Sequence, residues 1–172
     1  KNNQMNEFSR LKIPPFTIGE GSFKEIYSSL KVNSFKTLIL VTSKSFIKKN
    51  HYSFLLRFLE ENNIFHELII CKEEPSSDFI DKQIFKFHKL KIDSIIAIGG
   101  GSVIDLGKAI SAMIPLGESI LKYIDNANNL IHPGNKIPYL VIPTTSGTGG
   151  EVTRNAVVTN VGPKGFKRSI RH

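Results

Sequence analysis

Hydrophobic residues fall along this chain in two alternating rhythms. Thr37-Leu-Ile-Leu-Val-Thr42 is a continuous apolar, partly β-branched run, the pattern of a strand covered on both faces in a parallel sheet. From about Tyr52 to Asn62, the positions Phe54, Leu55, Phe58 and Leu59 recur at helical spacing and make one face. Phe65 to Cys71 reads as the next strand. Ser76 or Ser77 can cap a helix running to about Leu90, with Phe79, Ile80, Ile84 and Phe87 on one stripe. Ser94 to Ile98 is another apolar strand, Val103 to Met113 another helix, and Ile137 to Ile142 a strand that stops at Pro143. Ahead of these, Leu11 to Ile18 contains Pro14 and Pro15 and suits an edge strand, not a central one. The Gly19-Glu-Gly-Ser22 turn then opens a short helix from about Phe23 to Leu30.

Strands alternating with amphipathic helices are the sequence form of βαβ units. They predict an α/β domain: a Rossmann-like open parallel sheet with helices on both faces. A polar, Asn-rich stretch runs from Asp125 to Lys136. From Val152 onward the rhythm becomes polar-apolar alternation around Gly162-Pro-Lys-Gly165, which predicts a small β-hairpin. Open parallel sheets bind ligands at the carboxyl ends of their strands.

With 172 residues, 40% hydrophobic and 22% charged, the chain can bury the core of one domain, which excludes a disordered tail, a collagen or a peptide scaffold. A formal charge of +8 favours polyanionic or phosphorylated partners. The basic residues are spread like a solvated surface, densest at Lys164, Lys167, Arg168 and Arg171. The single Cys71 cannot form an intramolecular disulfide and ends an apolar run as a core filler, so a reducing, cytoplasmic compartment is expected. No stretch approaches the ~20 apolar residues of a membrane span, and the first residues hold no apolar signal core. The sequence begins at Lys1 with its first Met at Met5, from which we expect ends set by something other than translation.

Two loops carry the candidate chemistry. Ile98-Gly-Gly-Gly-Ser-Val-Ile-Asp105-Leu-Gly-Lys108 places a glycine run between a buried strand and a helix. Glycines there let backbone N–H groups approach a pyrophosphate, and the helix N-terminus adds partial positive charge. The run is not the standard dinucleotide fingerprint, because Ile104 stands where a third glycine or alanine belongs. By itself it reads equally well as a tight turn. Pro143-Thr-Thr-Ser-Gly-Thr-Gly-Gly-Glu151 also follows a strand and sets four hydroxyls among three glycines. Two such loops on one sheet edge should line one crevice.

These residues, with the initial Phe16-Thr-Ile-Gly-Glu-Gly21, the Val152-Thr153 that follows Glu151 and the distal Lys167-Arg-Ser-Ile-Arg-His172, resemble the iron-containing (group III) alcohol dehydrogenase family over most of the chain. Dehydroquinate synthases share the general arrangement but differ after Pro-Thr-Thr, and maleylacetate reductases have a less similar second loop. The resemblance implies an NAD- or NADP-binding domain of a two-domain enzyme. Gly99, Gly100, Gly101, Ser102 and Asp105 would hold the pyrophosphate side. Thr144 and Thr145 would bound the adenine end, Thr148 and Thr153 would lie along the phosphates and nicotinamide, and Lys167 matches a cofactor-contacting lysine.

The sequence departs from the family in two places. Where many members carry an Asp for the ribose 2′-hydroxyl, this chain has Ser43 and Lys44, which shifts the expectation toward NADP; before Pro75, where members often have Asn, it has Glu74. The family's divalent metal, iron or zinc, would be bound by one Asp and three His of a helical domain expected beyond His172. None of His51, His66, His88, His132 and His172 lies in a matching metal motif, and surface or packing roles are expected for them. No catalytic residue is expected in this chain. The resemblance implies a small alcohol or aldehyde substrate, no nucleic-acid or membrane partner, and allows a homodimer. Glycerol-phosphate oxidation, a dehydroquinate-synthase-like cyclisation and a non-catalytic polyanion-binding module are the alternatives.

Overall fold

The computed structural model describes residues 15–124, 130–147, 149–150, 155–160 and 166–171. After a 3-10 turn at Ser22–Lys24 come α1 (Glu25–Val32), β1 (Thr37–Ser43), α2 (Asn50–Glu61), β2 (Phe65–Cys71), α3 (Ser77–Phe87) and β3 (Ser94–Gly99). Then follow α4 (Gly101–Met113), α5 (Leu121–Ile124), β4 (Tyr139–Pro143), β5 (Asn155–Asn160) and β6 (Phe166–Arg171). The first four strands form one parallel sheet in the order β2-β1-β3-β4, and β5 pairs antiparallel with β6. The predicted α/β sheet and hairpin are both present.

Because side chains alternate across a strand, each apolar run feeds two cores. Leu38 and Leu40 of β1 with Ile96 and Ile98 of β3 meet α1 and α2 through Ile26, Leu30, Leu55 and Leu59. Ile39, Val41, Ile95 and Ala97 face the other way, onto Ile80, Ile84 and Phe87 of α3 and the buried face of α4. All six residues of β3 are buried, which is why that segment has no polar alternation to read. β2 lies at the sheet edge and leaves Phe65 and Leu68 exposed. At the sheet's other pole, the Asp93 carboxylate accepts the N–H groups of Lys36 (2.8 Å) and Thr37 (2.9 Å), pinning the start of β1 to that of β3.

Several boundaries differ from the sequence expectation. Pro15 to Ile18 form no strand, and Leu11 to Pro14 lie outside the described residues. Phe54 is 59% exposed, because the buried stripe of α2 centres on Leu55 and Leu59, and each residue turns about 100° around a helix. α3 ends at Phe87, where Leu90 N–H bonds the Phe87 carbonyl in a tightened turn. β4 starts at Tyr139, because Pro138 has no N–H to give and the Ile137 N–H is engaged with the Ser111 carbonyl (3.0 Å). The Ser111 hydroxyl returns a bond to the Ile137 carbonyl (2.7 Å). Ser76 is the α3 cap, accepting from Phe79 N–H.

The hairpin docks through β5. Ala156 and Val158 are fully buried in the α4-side core, and Thr159 N–H donates to the Pro75 carbonyl (3.1 Å). The predicted turn at Gly162 to Gly165 lies outside the described residues.

Candidate functional site

Strand order decides where a ligand can lie. The chain leaves β1 toward β2 on one side of the sheet and leaves β3 toward β4 on the other. The connections therefore diverge above the carboxyl ends of β1 and β3 and open a crevice there. Ser43 ends β1, and Gly99 ends β3 beside it, after the last paired residues Thr42 and Ile98. The buried Thr42 hydroxyl donates to the Ile98 carbonyl at 2.6 Å and fixes this corner.

The glycine run is tighter than the sequence suggested. α4 starts at Gly101 rather than Val103, with Gly100 as its N-cap and no side chain capping it. Gly101 and Ser102 thus lie inside the first helical turn, where N–H groups have no intrahelical acceptor. A Cβ on Gly99 would stand 2.6 Å from Val103 Cγ2 and 2.7 Å from Val103 Cβ. Only glycine lets β3 enter α4 so directly.

The second loop closes around this helix start. Pro143 pairs with Gly99, and Thr144 N–H donates to the Gly99 carbonyl at 2.9 Å. A Cβ on Gly100 would meet Thr145 Oγ1 at 3.2 Å, and one on Gly150 would meet Ile104 Cγ2 at 3.2 Å. Gly147 (φ 84°) and Gly149 (φ 60°) take left-handed backbone, which side-chain-bearing residues rarely adopt. The first turn of α4 is thereby flanked by Thr144 and Thr145 on one side and Gly150 on the other. The exposed Thr144 and Thr145 thus lie next to helical N–H groups that no side chain caps, an arrangement that suits an anionic oxygen cluster such as a pyrophosphate.

Ser43, Gly99, Gly100, Gly101, Ser102, Asp105, Thr144 and Thr145 all belong to this carboxyl edge. Thr148 and Thr153 lie outside the described residues. Lys167 sits in β6 opposite Thr159, and its side chain is likewise outside what is described. Lys108, on the same helix as the glycine turn, is buried.

Sequence reading missed Tyr139. Its hydroxyl donates to the Ile104 carbonyl (2.8 Å), and its ring lies where a Cβ on Gly107 would be, 2.7 Å from Cε2. This contact seats α4 on the sheet. Burial, and after it the Asp105 charge, push the Tyr139 phenol well above its ordinary range. Burial also pushes the Cys71 thiol up to about 11, opposed by hydrogen bonding with the Glu73 backbone and reinforced by the charges of Glu73 and Asp105.

Among the histidines, His132 is buried. Gly134 N–H donates to its Nδ1 (3.0 Å), so Nε2 carries the proton toward the Ala112 carbonyl (2.9 Å). His88 Nδ1 lies 3.0 Å from the Phe85 carbonyl. Among the described residues no three His, Cys, Asp or Glu side chains gather as a metal-binding group, and no helix is long and apolar enough to cross a membrane.

An open parallel sheet of order β2-β1-β3-β4, with a glycine turn opening a helix at its switch point, places the chain in the Rossmann-like, doubly wound class of α/β domains. Within that class, the sequence matches the family profile "Iron-containing alcohol dehydrogenase" over residues 14–172, and the chain belongs to that family. It is 31% identical to alcohol dehydrogenase 4 of Schizosaccharomyces pombe, over 88% of this chain and 36% of that protein. Its fold superposes on an iron-containing alcohol dehydrogenase of Thermotoga maritima with a TM-score of 0.75 and 28% identity, covering 94% of this chain and 44% of the other. A sulfoacetaldehyde reductase of Bifidobacterium kashiwanohense, solved in complex with NAD+, matches with a TM-score of 0.75 and 26% identity, covering 89% of this chain and 40% of that one. The chain spans less than half the length of each of these relatives.

Proposed function

We propose that this chain is the cofactor-binding half of an NAD(P)-dependent, metal-dependent alcohol dehydrogenase that interconverts an alcohol with an aldehyde or ketone. The observation that carries the reading is the joining of two loops at one helix start: Thr144 N–H on the Gly99 carbonyl at 2.9 Å, and Thr145 against Gly100. That cradle fits a dinucleotide, since Gly100 and Gly101 put no side chain over the uncapped N–H groups that open α4.

Nicotinamide, when bound, supplies hydride transfer at its ring C4. The protein's part is to bind and orient. Backbone N–H groups of Gly101 and Ser102 would take pyrophosphate oxygens, and Thr144 and Thr145 would bound the adenine side. Ser43 would face the adenosine ribose, while Thr148, Thr153 and Lys167 would lie toward the phosphates and nicotinamide. Asp105, one turn further along α4, would stand over the same crevice. The S. pombe and T. maritima relatives, both named alcohol dehydrogenases, support the reaction class, and the NAD+ complex of the sulfoacetaldehyde reductase supports the cofactor class.

The described residues do not fit a metal ion, because no ligand group assembles among them. An iron or zinc site would belong to a separate helical domain. The chain by itself should then bind cofactor and turn over no alcohol. Titration with NADH and NADPH, followed by nicotinamide fluorescence, tests the reading. Saturable binding of at least one is expected, and no saturation by either at millimolar concentration would overturn it.

A further inference from the structure

We propose that a lysine-lined cleft at the carboxyl end of β1 selects the 2′-phosphorylated dinucleotide, NADP(H), over NAD(H). The inference rests on the reading of the crevice as a cofactor site and concerns which cofactor it takes. An open cleft of about 490 Å³ is lined by Lys44, Ser45, Lys48 and Lys49, within the roughly 300–1,000 Å³ of small-ligand sites. Lys48 and Lys49 come round beside Lys44 through the 3-10 turn Phe46–Lys48.

Position comes first. Ser43 ends β1 one strand spacing, about 4.8 Å, from the strand that opens the glycine turn. A dinucleotide with its pyrophosphate on the start of α4 lays its adenosine ribose over this neighbouring strand end, where such folds read the 2′ substituent.

Charge comes next. Between Glu25 and Glu60 there is no Asp or Glu, while Lys31, Lys36, Lys44, Lys48, Lys49 and Arg57 fall in that interval. The carboxylate that would bond a bare 2′-hydroxyl and repel a phosphate is therefore missing from β1 and the segment after it. Three ammonium groups border the cleft instead, and none is in an ion pair among the described residues.

Rigidity comes third. The Ser43 and Ser45 hydroxyls are 2.9 Å apart, and the Ser43 hydroxyl accepts Phe46 N–H at 3.4 Å. The 3-10 turn Phe46–Lys48 is stapled to the core, with the Phe46 ring 6.2 Å from Phe23 and 6.1 Å from Tyr52 between centroids. The lysines thus project from an anchored turn, which lowers the ordering cost of meeting a phosphate dianion.

The test compares NADPH and NADH titrations of the chain at low and moderate salt, with 2′,5′-ADP, 5′-AMP and inorganic phosphate as competitors. NADPH is expected to bind about tenfold or more tightly than NADH, an advantage that shrinks as salt screens exposed charges. The triple variant Lys44→Ala, Lys48→Ala, Lys49→Ala should lose most of that advantage, and Ser45→Ala should lose less. 2′,5′-ADP should displace NADPH better than 5′-AMP or inorganic phosphate does. Equal affinity for the two cofactors, an NADH preference, or a preference untouched in the triple variant overturns the inference and leaves the cofactor site standing. Failure of both cofactors to bind overturns the site itself.

Discussion

Gly99→Ala tests the central geometric claim, that β3 can enter α4 only through a residue with no side chain. The added methyl would lie 2.6 Å from Val103 Cγ2, 2.7 Å from Val103 Cβ and 3.0 Å from Val103 Cγ1. Carbon contacts settle near 3.5–4.0 Å, so the shortfall is about 1 Å. Val103 cannot swing aside: it is β-branched in a helix, which holds χ1, and its own Cβ is among the clashing atoms. Relief must come from moving the start of α4 off the sheet. Overpacking of this kind costs about 1–3 kcal/mol, which for a domain of this size lowers Tm by roughly 2–12 °C.

The same shift carries the Gly101 and Ser102 N–H groups away from the phosphate position. Cofactor affinity should therefore fall about tenfold or more, because backbone donors lose strength steeply with misalignment. The assays are a thermal melt and an NADPH titration held well below the variant's Tm, so that lost folding is not read as lost binding. Adding Val103→Ala removes two of the three close contacts, and the double variant should be less destabilised than the sum of the singles. A Gly99→Ala protein with unchanged Tm and unchanged affinity would refute the reasoning.

Three further outcomes follow from other contacts. Gly107→Ala should gain about 0.8–1.0 kcal/mol in helix propensity, yet its methyl would meet Tyr139 at 2.7 Å and Ala97 Cβ at 2.9 Å. Overpacking of ~1–3 kcal/mol should prevail, so a higher Tm would contradict the tight seating of α4. Asp93→Ala strands the Lys36 and Thr37 N–H groups and should cost about 1–2 kcal/mol by denaturant unfolding, with cofactor affinity unaffected because the change is at the sheet's opposite pole. The Cys71 thiol, raised from 9.0 to about 11, should resist iodoacetamide in the folded chain at pH 8 and label rapidly on unfolding. A raised folded value keeps this group's contribution whole below pH 9 and removes it as the pH climbs toward 11. Stability should decline across that window, and a Cys71→Ser chain should decline less.

Much of this architecture was legible from local pattern. The runs at Thr37 to Thr42 and Ser94 to Ile98 could be only doubly covered strands, because no polar residue interrupts them to face water. Ser76 declared a helix start by its hydroxyl, and the structure places it as the cap. The glycine turn was visible because a glycine run between a buried strand and an amphipathic helix is costly unless backbone must come close to something. Over Pro15 to Ile18 the expected edge strand is absent, since a proline permits an edge strand without requiring one. Phe54 misled as well: four apolar neighbours on a helix do not say which of them the sheet will cover. Lys48 and Lys49 left one faint signal, the acid-free interval from Ile26 to Leu59, which has meaning only once the end of β1, within that interval, is known to lie beside the end of β3.

The sequence by itself determined the elements, their alternation and the two glycine-bearing loops, because burial periodicity, caps and turn residues act over a few neighbouring positions. The tertiary structure decided the strand order β2-β1-β3-β4, and with it the crevice between β1 and β3. It also decided the meeting of Thr145 with Gly100 and the seating of Tyr139 on Gly107. These depend on which distant segments pair, a choice made by packing both faces of the sheet at once. No periodicity along the chain encodes that choice.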